Sequence, residues 1–169
     1  KEVKKIFFGE KMVLLTLAHR RLGLILPPDN PQKISSITDA IHKRVRFANR
    51  QPGSGTRVWF DMMLIKNGIS PDQVNGYDHE YSTHSEIGRV IAEGSAGAGV
   101  GLESVAVAYG LDFVFLTLER YDLVFYHDQM NEEPFNLLIQ WLQHSDGKKF
   151  VNQFPGYENT ETGMIHYSM

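Results

Sequence analysis

A chain of 169 residues with 42% hydrophobic and 22% charged residues has the balance of a folded globular protein, long enough for one domain or two small lobes. Its formal net charge of −3 argues against general binding to nucleic acid or to an acidic membrane, since both call for a basic surface. Cysteine is absent, which excludes disulfides, a thiolate nucleophile and thiolate metal ligation, and no apolar run is long enough for a membrane-spanning helix.

In chain order, Met12 to Ala18 and Leu22 to Leu26 read as two buried strands, short and rich in β-formers. Pro27, Pro28 and Pro31 make the next stretch a loop. Ser35 or Ser36 caps a short helix to His42, with Asp39 three residues after Ser36. A strand at Val45 to Ala48 leads into Asn49-Arg50-Gln51-Pro52-Gly53-Ser54-Gly55-Thr56-Arg57, and a helix follows from Thr56 to about Asn67, stopped by Gly68. Val74 to Tyr77 reads as a short strand. Thr83 opens a helix with Ile87, Val90 and Ile91 on one face and Gly94 at its end. Ala96 to Gly101 forms a thin strand or turn, Glu103 to Tyr109 a helix, and Phe113 to Leu118 and Tyr121 to Tyr126 two strands separated by Glu119-Arg120. Helices from Pro134 to about His144 and from Asp146 to Phe154 come next, then loop with a short terminal strand. The alternation of strand and helix predicts an α/β protein with a largely parallel sheet.

The Pro-Gly-Ser-Gly turn between strand and helix carries the most chemistry. Such a turn leaves backbone N–H groups pointing outward, the helix dipole adds partial positive charge, and Arg50 and Arg57 flank it. It is not a phosphate-binding Walker loop, because no lysine follows the second glycine, and the dinucleotide pattern is also missing. Two readings fit it: a nest for a small oxyanion, with the Ser54 and Thr56 hydroxyls donating and Arg50 or Arg57 neutralising, or an ordinary turn in which Ser or Thr caps the helix.

Tyr77-Asp78-His79-Glu80-Tyr81-Ser82-Thr83-His84 precedes a second helix start, where Thr83 and His84 would sit beside another set of N–H groups. The plainer reading is that Thr83 caps the helix and His84 is a polar first-turn residue. His79, Glu80 and His84 do not match a common zinc spacing, so no direct metal coordination is expected. A serine nucleophile would need the G-x-S-x-G elbow, and Gly53-Ser54-Gly55 falls one residue short of it. Glu80, Glu103 and Glu119 are unpaired candidate acids, so the chain is expected not to be an enzyme.

Asn49 to Arg57, Gly76-Tyr77, Thr83-His84, Gly97-Ala98-Gly99-Val100-Gly101, Gly110-Leu111-Asp112-Phe113 and Glu119-Arg120-Tyr121-Asp122-Leu123 stand in one order. In this the chain, from about Val13 to Gly156, resembles the periplasmic-binding-protein-like domain related to molybdate- and tungstate-binding proteins of bacteria and archaea. The resemblance implies a two-lobed type II fold with mainly parallel sheets and a ligand in the cleft between lobes. Residues 28–118 would form the second lobe, carrying the anion loop. Residues 1–27 and 119–169 would form a partial first lobe, with hinge strands near Leu14 to Leu26 and Tyr121 to Tyr126. The strand-and-helix section that normally opens this domain is not recognised here, since Lys1 to Lys11 already resembles the approach to the hinge. A truncated chain or a second protomer supplying the missing core would account for that, and a homodimer is expected.

The expected function is non-catalytic capture of a small oxyanion, molybdate or tungstate first, with no other cofactor. Arg50, Ser54, Gly55, Thr56, Arg57, Tyr77, Thr83 and His84 are the expected ligand-binding residues. Sensing, delivery to molybdenum-cofactor biosynthesis or control of a DNA-binding partner would follow, without direct contact to nucleic acid or insertion into a membrane. The family's fusions to cytoplasmic proteins imply a cytoplasmic location. The alternative functions are an enzyme acting on a phosphate- or sulfate-bearing small molecule at the same loop, and an interaction domain that binds no ligand.

Overall fold

The computed structural model describes residues 11–168, so the segment read as an approach to the hinge lies almost wholly outside them. Thirteen regular elements follow one another among the described residues. They are β1 (Met12–Leu26), α1 (Ile37–His42), β2 (Phe47–Arg50), α2 (Gly55–Lys66), β3 (Glu80–Tyr81), α3 (His84–Ala92) and β4 (Ala98–Leu102). Then come α4 (Glu103–Ala108), β5 (Asp112–Tyr126), α5 (Glu133–Gln143), α6 (Ser145–Val151), β6 (Tyr157–Glu158) and β7 (Ile165–Ser168). The chain divides into two compact units: residues up to Arg20 with those from Leu118 onward, and Arg21 to Thr117. Both boundaries fall inside the 15-residue strands β1 and β5.

The strands pair in the order β3-β2-β4-β1-β5, with β6 and β7 also paired to β1. The sheet is mixed, which corrects the expectation of mainly parallel sheets. β2 runs parallel to both β3 and β4, as the crossovers through α2 and α3 require. β1 meets β4, β6 and β7 antiparallel.

Two other expectations fail for one shared reason. Each of the two strand pairs read at 12–26 and 113–126 is a single continuous strand. The charged residues that interrupt each apolar run find partners. Arg20 Nη2 donates to Glu119 Oε2 at 2.6 Å and lies 4.0 Å over the Tyr121 ring. Arg21 Nε donates to Glu103 Oε2, and Arg120 Nε to Asp122 Oδ2 at 2.9 Å. Charges that find partners, on other elements for Arg20, Arg21 and Glu119 and along β5 for Arg120, no longer force a turn. The strand read at Val74 to Tyr77 is also displaced. A 3-10 turn at Pro71–Gln73 is followed by irregular chain, and the strand forms at Glu80–Tyr81.

The Arg21–Thr117 unit has the larger core. Leu24, Ile25 and Leu26 of β1, Phe47 of β2, Phe60 and Leu64 of α2 and Ile87 and Ile91 of α3 are at most 2% exposed. Each such side chain contributes about 1.5–3 kcal/mol by leaving water. The Phe47 and Phe60 rings stack at 5.5 Å, which fixes α2 against β2. At Gly99, β4 has no room for a side chain. A Cβ on Gly99 would lie 2.6 Å from Ile87 Cγ2 and 2.8 Å from the Ala48 carbonyl oxygen. The other unit is built on Val13, Leu15, Phe125, Ile139 and Leu142.

Capping chemistry sets the helix starts where it was read. Ser36 accepts from the Asp39 amide at 3.0 Å, and Ser54 from the Arg57 amide at 3.2 Å. At α3 a reciprocal box closes. Thr83 Oγ1 accepts from the Glu86 amide at 3.1 Å, and Glu86 Oε2 accepts from the Thr83 amide at 2.8 Å. The Thr83 amide first, and then the Thr83 hydroxyl bonded to the same carboxylate oxygen, hold the Glu86 carboxyl below its ordinary pKa. A depressed carboxyl stabilises the fold above its unfolded pKa, and the contribution is lost as pH falls through the folded value. Thr83→Ala is expected to cost about 1 kcal/mol in urea unfolding at neutral pH. A change within experimental error would show that the box adds nothing.

Candidate functional site

All eight predicted residues lie in the Arg21–Thr117 unit. The register Asn49↔Glu80 and Arg50↔Tyr81 aligns the carboxyl ends of β2 and β3, and the parallel β4 runs the same way on the other side of β2. The starts of α2 and α3 therefore share one edge of the sheet. In open α/β sheets this is the edge where ligands bind. The two starts are also tied together. Arg50 leaves the end of β2 and donates from Nη2 to the Ser82 carbonyl at 2.8 Å, with Nε 3.3 Å from the Tyr81 carbonyl oxygen. His84 reaches back over β4, where a Cβ on Gly101 would lie 3.6 Å from its Nδ1.

The two helix starts differ chemically. At α2 the Ser54 side chain takes the Arg57 amide and the Ser54 carbonyl takes the Val58 amide. Gly55 and Thr56 thus present first-turn amides that the helix itself does not use. Gly53 holds φ at +84°, a left-handed turn conformation that favours glycine, and Gly55 is exposed while Thr56 is buried. At α3, Glu86 brings its own carboxylate onto the helix start. The donors left for an anion are thus concentrated at α2.

Arg57 is held differently from a cation waiting for a ligand. It is 5% exposed and its guanidinium is gripped on several sides. Nε donates to Asp61 Oδ1 and Oδ2 at 3.1 and 3.2 Å. Nη1 donates to Glu80 Oε1 at 3.1 Å and to the Arg50 carbonyl at 3.0 Å. Its carbon sits 4.1 Å over the Tyr77 ring, and the Tyr77 hydroxyl donates to Asp61 Oδ1 at 3.0 Å. Burial works against the charge, but Tyr77, Glu80 and Asp61 outweigh it and leave the pKa above the ordinary arginine value. Arg57 is a permanent cation, clasped by two carboxylates. Tyr77 is part of this clasp.

Three residues that matter here were not among the eight. Asp61 and Glu80 complete the clasp. Asn49, 4% exposed, donates from Nδ2 to the Tyr77 carbonyl at 3.1 Å and accepts from the Arg50 amide at 2.9 Å. An i, i+4 spacing of Arg57 and Asp61 was available in the sequence as a helix pair. Glu80 becomes a partner only through the β2–β3 register.

Ser54 serves as a helix cap, its side chain accepting from the Arg57 amide. Among the described residues, no three His, Asp or Glu side chains stand together as a metal set. An open cavity of about 500 Å³ lies elsewhere, lined by Ile41, His42, Arg44, Asp72, Gln73 and Asn75 near the start of β2. It includes none of the eight residues, and of its lining only Ile41 is buried.

An α/β unit with helix starts gathered at the carboxyl edge of parallel strands is similar in fold to solved periplasmic-type binding proteins. The chain belongs to the PBP superfamily, whose domain matches residues 1–143. It is 32% identical over 163 residues to YvgK, a protein of Bacillus subtilis (strain 168) described as uncharacterized. The match takes in 96% of this chain but only 52% of YvgK, so the chain spans about half the length of that relative. A Clostridium pasteurianum protein encoded in the 5′ region of a 2Fe-2S ferredoxin gene is 31% identical over 99 residues, covering 58% of this chain and 88% of its own.

Solved structures share the fold at low identity. L-phospholactate-bound PEB3 aligns with a TM-score of 0.64 and 15% identity over 86% of this chain and 68% of its own. The substrate-binding domain assigned to a molybdenum ABC transporter of Clostridium difficile gives 0.62 and 18%, over 86% and 66%. A phosphate-bound protein assigned to a phosphate ABC transporter of Clostridium perfringens gives 0.64 and 15%, over 84% and 70%.

Proposed function

We propose that this domain captures a tetrahedral oxyanion at the start of α2, without catalysis. The observation that carries the reading is the pair of first-turn amides at Gly55 and Thr56, set at the carboxyl edge of the parallel strands and at the positive end of the α2 dipole. Backbone donors held by a rigid scaffold suit an anion of diffuse charge, and the Ser54 and Thr56 hydroxyls, Arg50, Thr83 and His84 are candidates to complete the shell. Superfamily membership supports it, as do fold neighbours described with phosphate, with L-phospholactate and with a molybdenum transporter. Molybdate or tungstate is the first ligand to test, and the role would be sensing or delivery to a partner in molybdenum metabolism.

Gly55→Pro is the sharpest test. Proline is favoured at the first position of a helix, where its missing N–H costs the helix nothing. Ser54 already has the extended backbone (φ −72°, ψ 144°) that a residue before proline prefers. The substitution thus deletes one proposed donor while sparing the fold. In a buffer free of other oxyanions, calorimetric titration with molybdate, tungstate, phosphate and sulfate is expected to give a measurable Kd for at least one. Gly55→Pro should weaken it about tenfold, equivalent to about 1.4 kcal/mol, with the unliganded melting temperature unchanged. No heat and no thermal shift with any of the four would sink the proposal, as would equal affinity in the variant.

A further inference from the structure

The charges around the α2 start do not add up to a simple cationic pocket. Arg57 spends Nε on Asp61 and Nη1 on Glu80 and the Arg50 carbonyl, and its planar face rests on Tyr77. Its side chain is 7% exposed, whereas those of Asp61 and Glu80 are 37% and 36% exposed. The cation is inside and the two carboxylates face outward. The charges of the clasp most open to solvent are the carboxylates, not the guanidinium.

The same contacts define a mechanical part. The Arg57 amide holds Ser54 through its side-chain oxygen, while the Arg57 guanidinium holds the Arg50 carbonyl at the other end of the loop. Residues 51–56 are thereby closed between two bonds to one residue. Glu80, on the neighbouring strand, anchors that residue to β3, whose own pairing runs through Asn49 and Arg50.

Resting on the anion-binding reading above, we infer that Arg57 is a positioning residue for the Gly55–Thr56 donors, acting through Glu80, and not the counter-ion of the ligand. The planar fork of arginine is what the role needs, because it bonds Asp61, Glu80 and the Arg50 carbonyl at once. Lysine carries the charge without that geometry.

Glu80→Gln separates the two roles by sign. If Arg57 neutralises the ligand, removing a competing carboxylate strengthens anion binding. If Arg57 positions the loop, loosening its anchor weakens binding. With inorganic phosphate and molybdate as probes, Glu80→Gln is expected to raise the Kd about fivefold or more, and Arg57→Lys should do the same. Hydrogen exchange on the unliganded protein supplies a readout independent of any ligand. The Arg57 and Val58 amides, bonded to the Ser54 side chain and carbonyl, should exchange faster in Glu80→Gln, while those of Val90 and Ile91 in α3 stay protected.

Tighter binding in Glu80→Gln overturns the inference, and so does weaker binding with unchanged exchange at Arg57 and Val58. Full affinity in Arg57→Lys overturns it as well. If the wild-type protein binds none of molybdate, tungstate, phosphate and sulfate, the anion reading has failed, and exchange alone then decides whether Glu80 fixes the loop. Should Glu80→Gln not fold, Asp61→Asn removes the other carboxylate of the clasp and carries the same expectations.

Discussion

Replacing Arg57 with alanine is expected to lower the stability of the protein by about 3 kcal/mol, with a fall in melting temperature of roughly 6–12 °C. The substitution leaves the Asp61 and Glu80 carboxylates facing each other without the cation that both bond. Breaking a fully buried pair costs about 3–5 kcal/mol, but each carboxylate is more than a third exposed and water recovers part of that loss. Packing adds to the cost, because the guanidinium covers the Tyr77 ring at 4.1 Å, a contact worth about 0.5–2 kcal/mol. The Arg50 carbonyl also loses a donor. Unfolding by urea, followed by circular dichroism, measures the effect. A loss below about 1 kcal/mol would mean that the clasp is a surface ion pair and no more than that.

Gly76→Ala should cost a comparable 3–4 kcal/mol from a position that bears no charge. Gly76 has φ +86°, a left-handed conformation that costs an L-residue about 1–2 kcal/mol. A Cβ there would also overlap the Phe47 carbonyl oxygen and lie 3.1 Å from the Phe47 nitrogen. Those atoms belong to β2 and cannot swing aside as a side-chain tip can. The segment carrying Gly76 is bonded along that strand, with the Phe47 amide donating to Asn75 and the Asn49 amide to His79. Displacing it would pull Tyr77 and Glu80 away from Arg57. Gly76→Ala is therefore expected to impair anion binding as well as stability, although it lies outside the donor loop. Normal exchange protection at Phe47 and Asn49 in the variant would contradict this account.

The two substitutions converge because one register, Asn49↔Glu80, brings together residues more than 20 positions apart. The sequence placed the helix starts well, since capping is local: Ser36 with Asp39, Ser54 with Arg57 and Thr83 with Glu86 all act within three residues. It also singled out the glycine and serine loop before α2, through the spacing of small residues before a helix, and Ser54 caps the helix there. The strands were read less well. Arg20, Arg21, Glu119 and Arg120 look like breaks when each run is read alone, and three of them are paired with residues on other elements.

The sequence by itself determined the α/β class, the order of helices and the serine cap at the start of α2, because these depend on propensity, capping and periodicity over a few residues. Tertiary structure decided which strands run antiparallel, where β3 forms and which way Arg57 faces. A side chain with several hydrogen-bond donors takes the direction in which most of them are satisfied. For Arg57 that direction is set by Asp61 on its own helix and by Glu80 and Tyr77, which only the folded sheet brings within 3.1–4.1 Å.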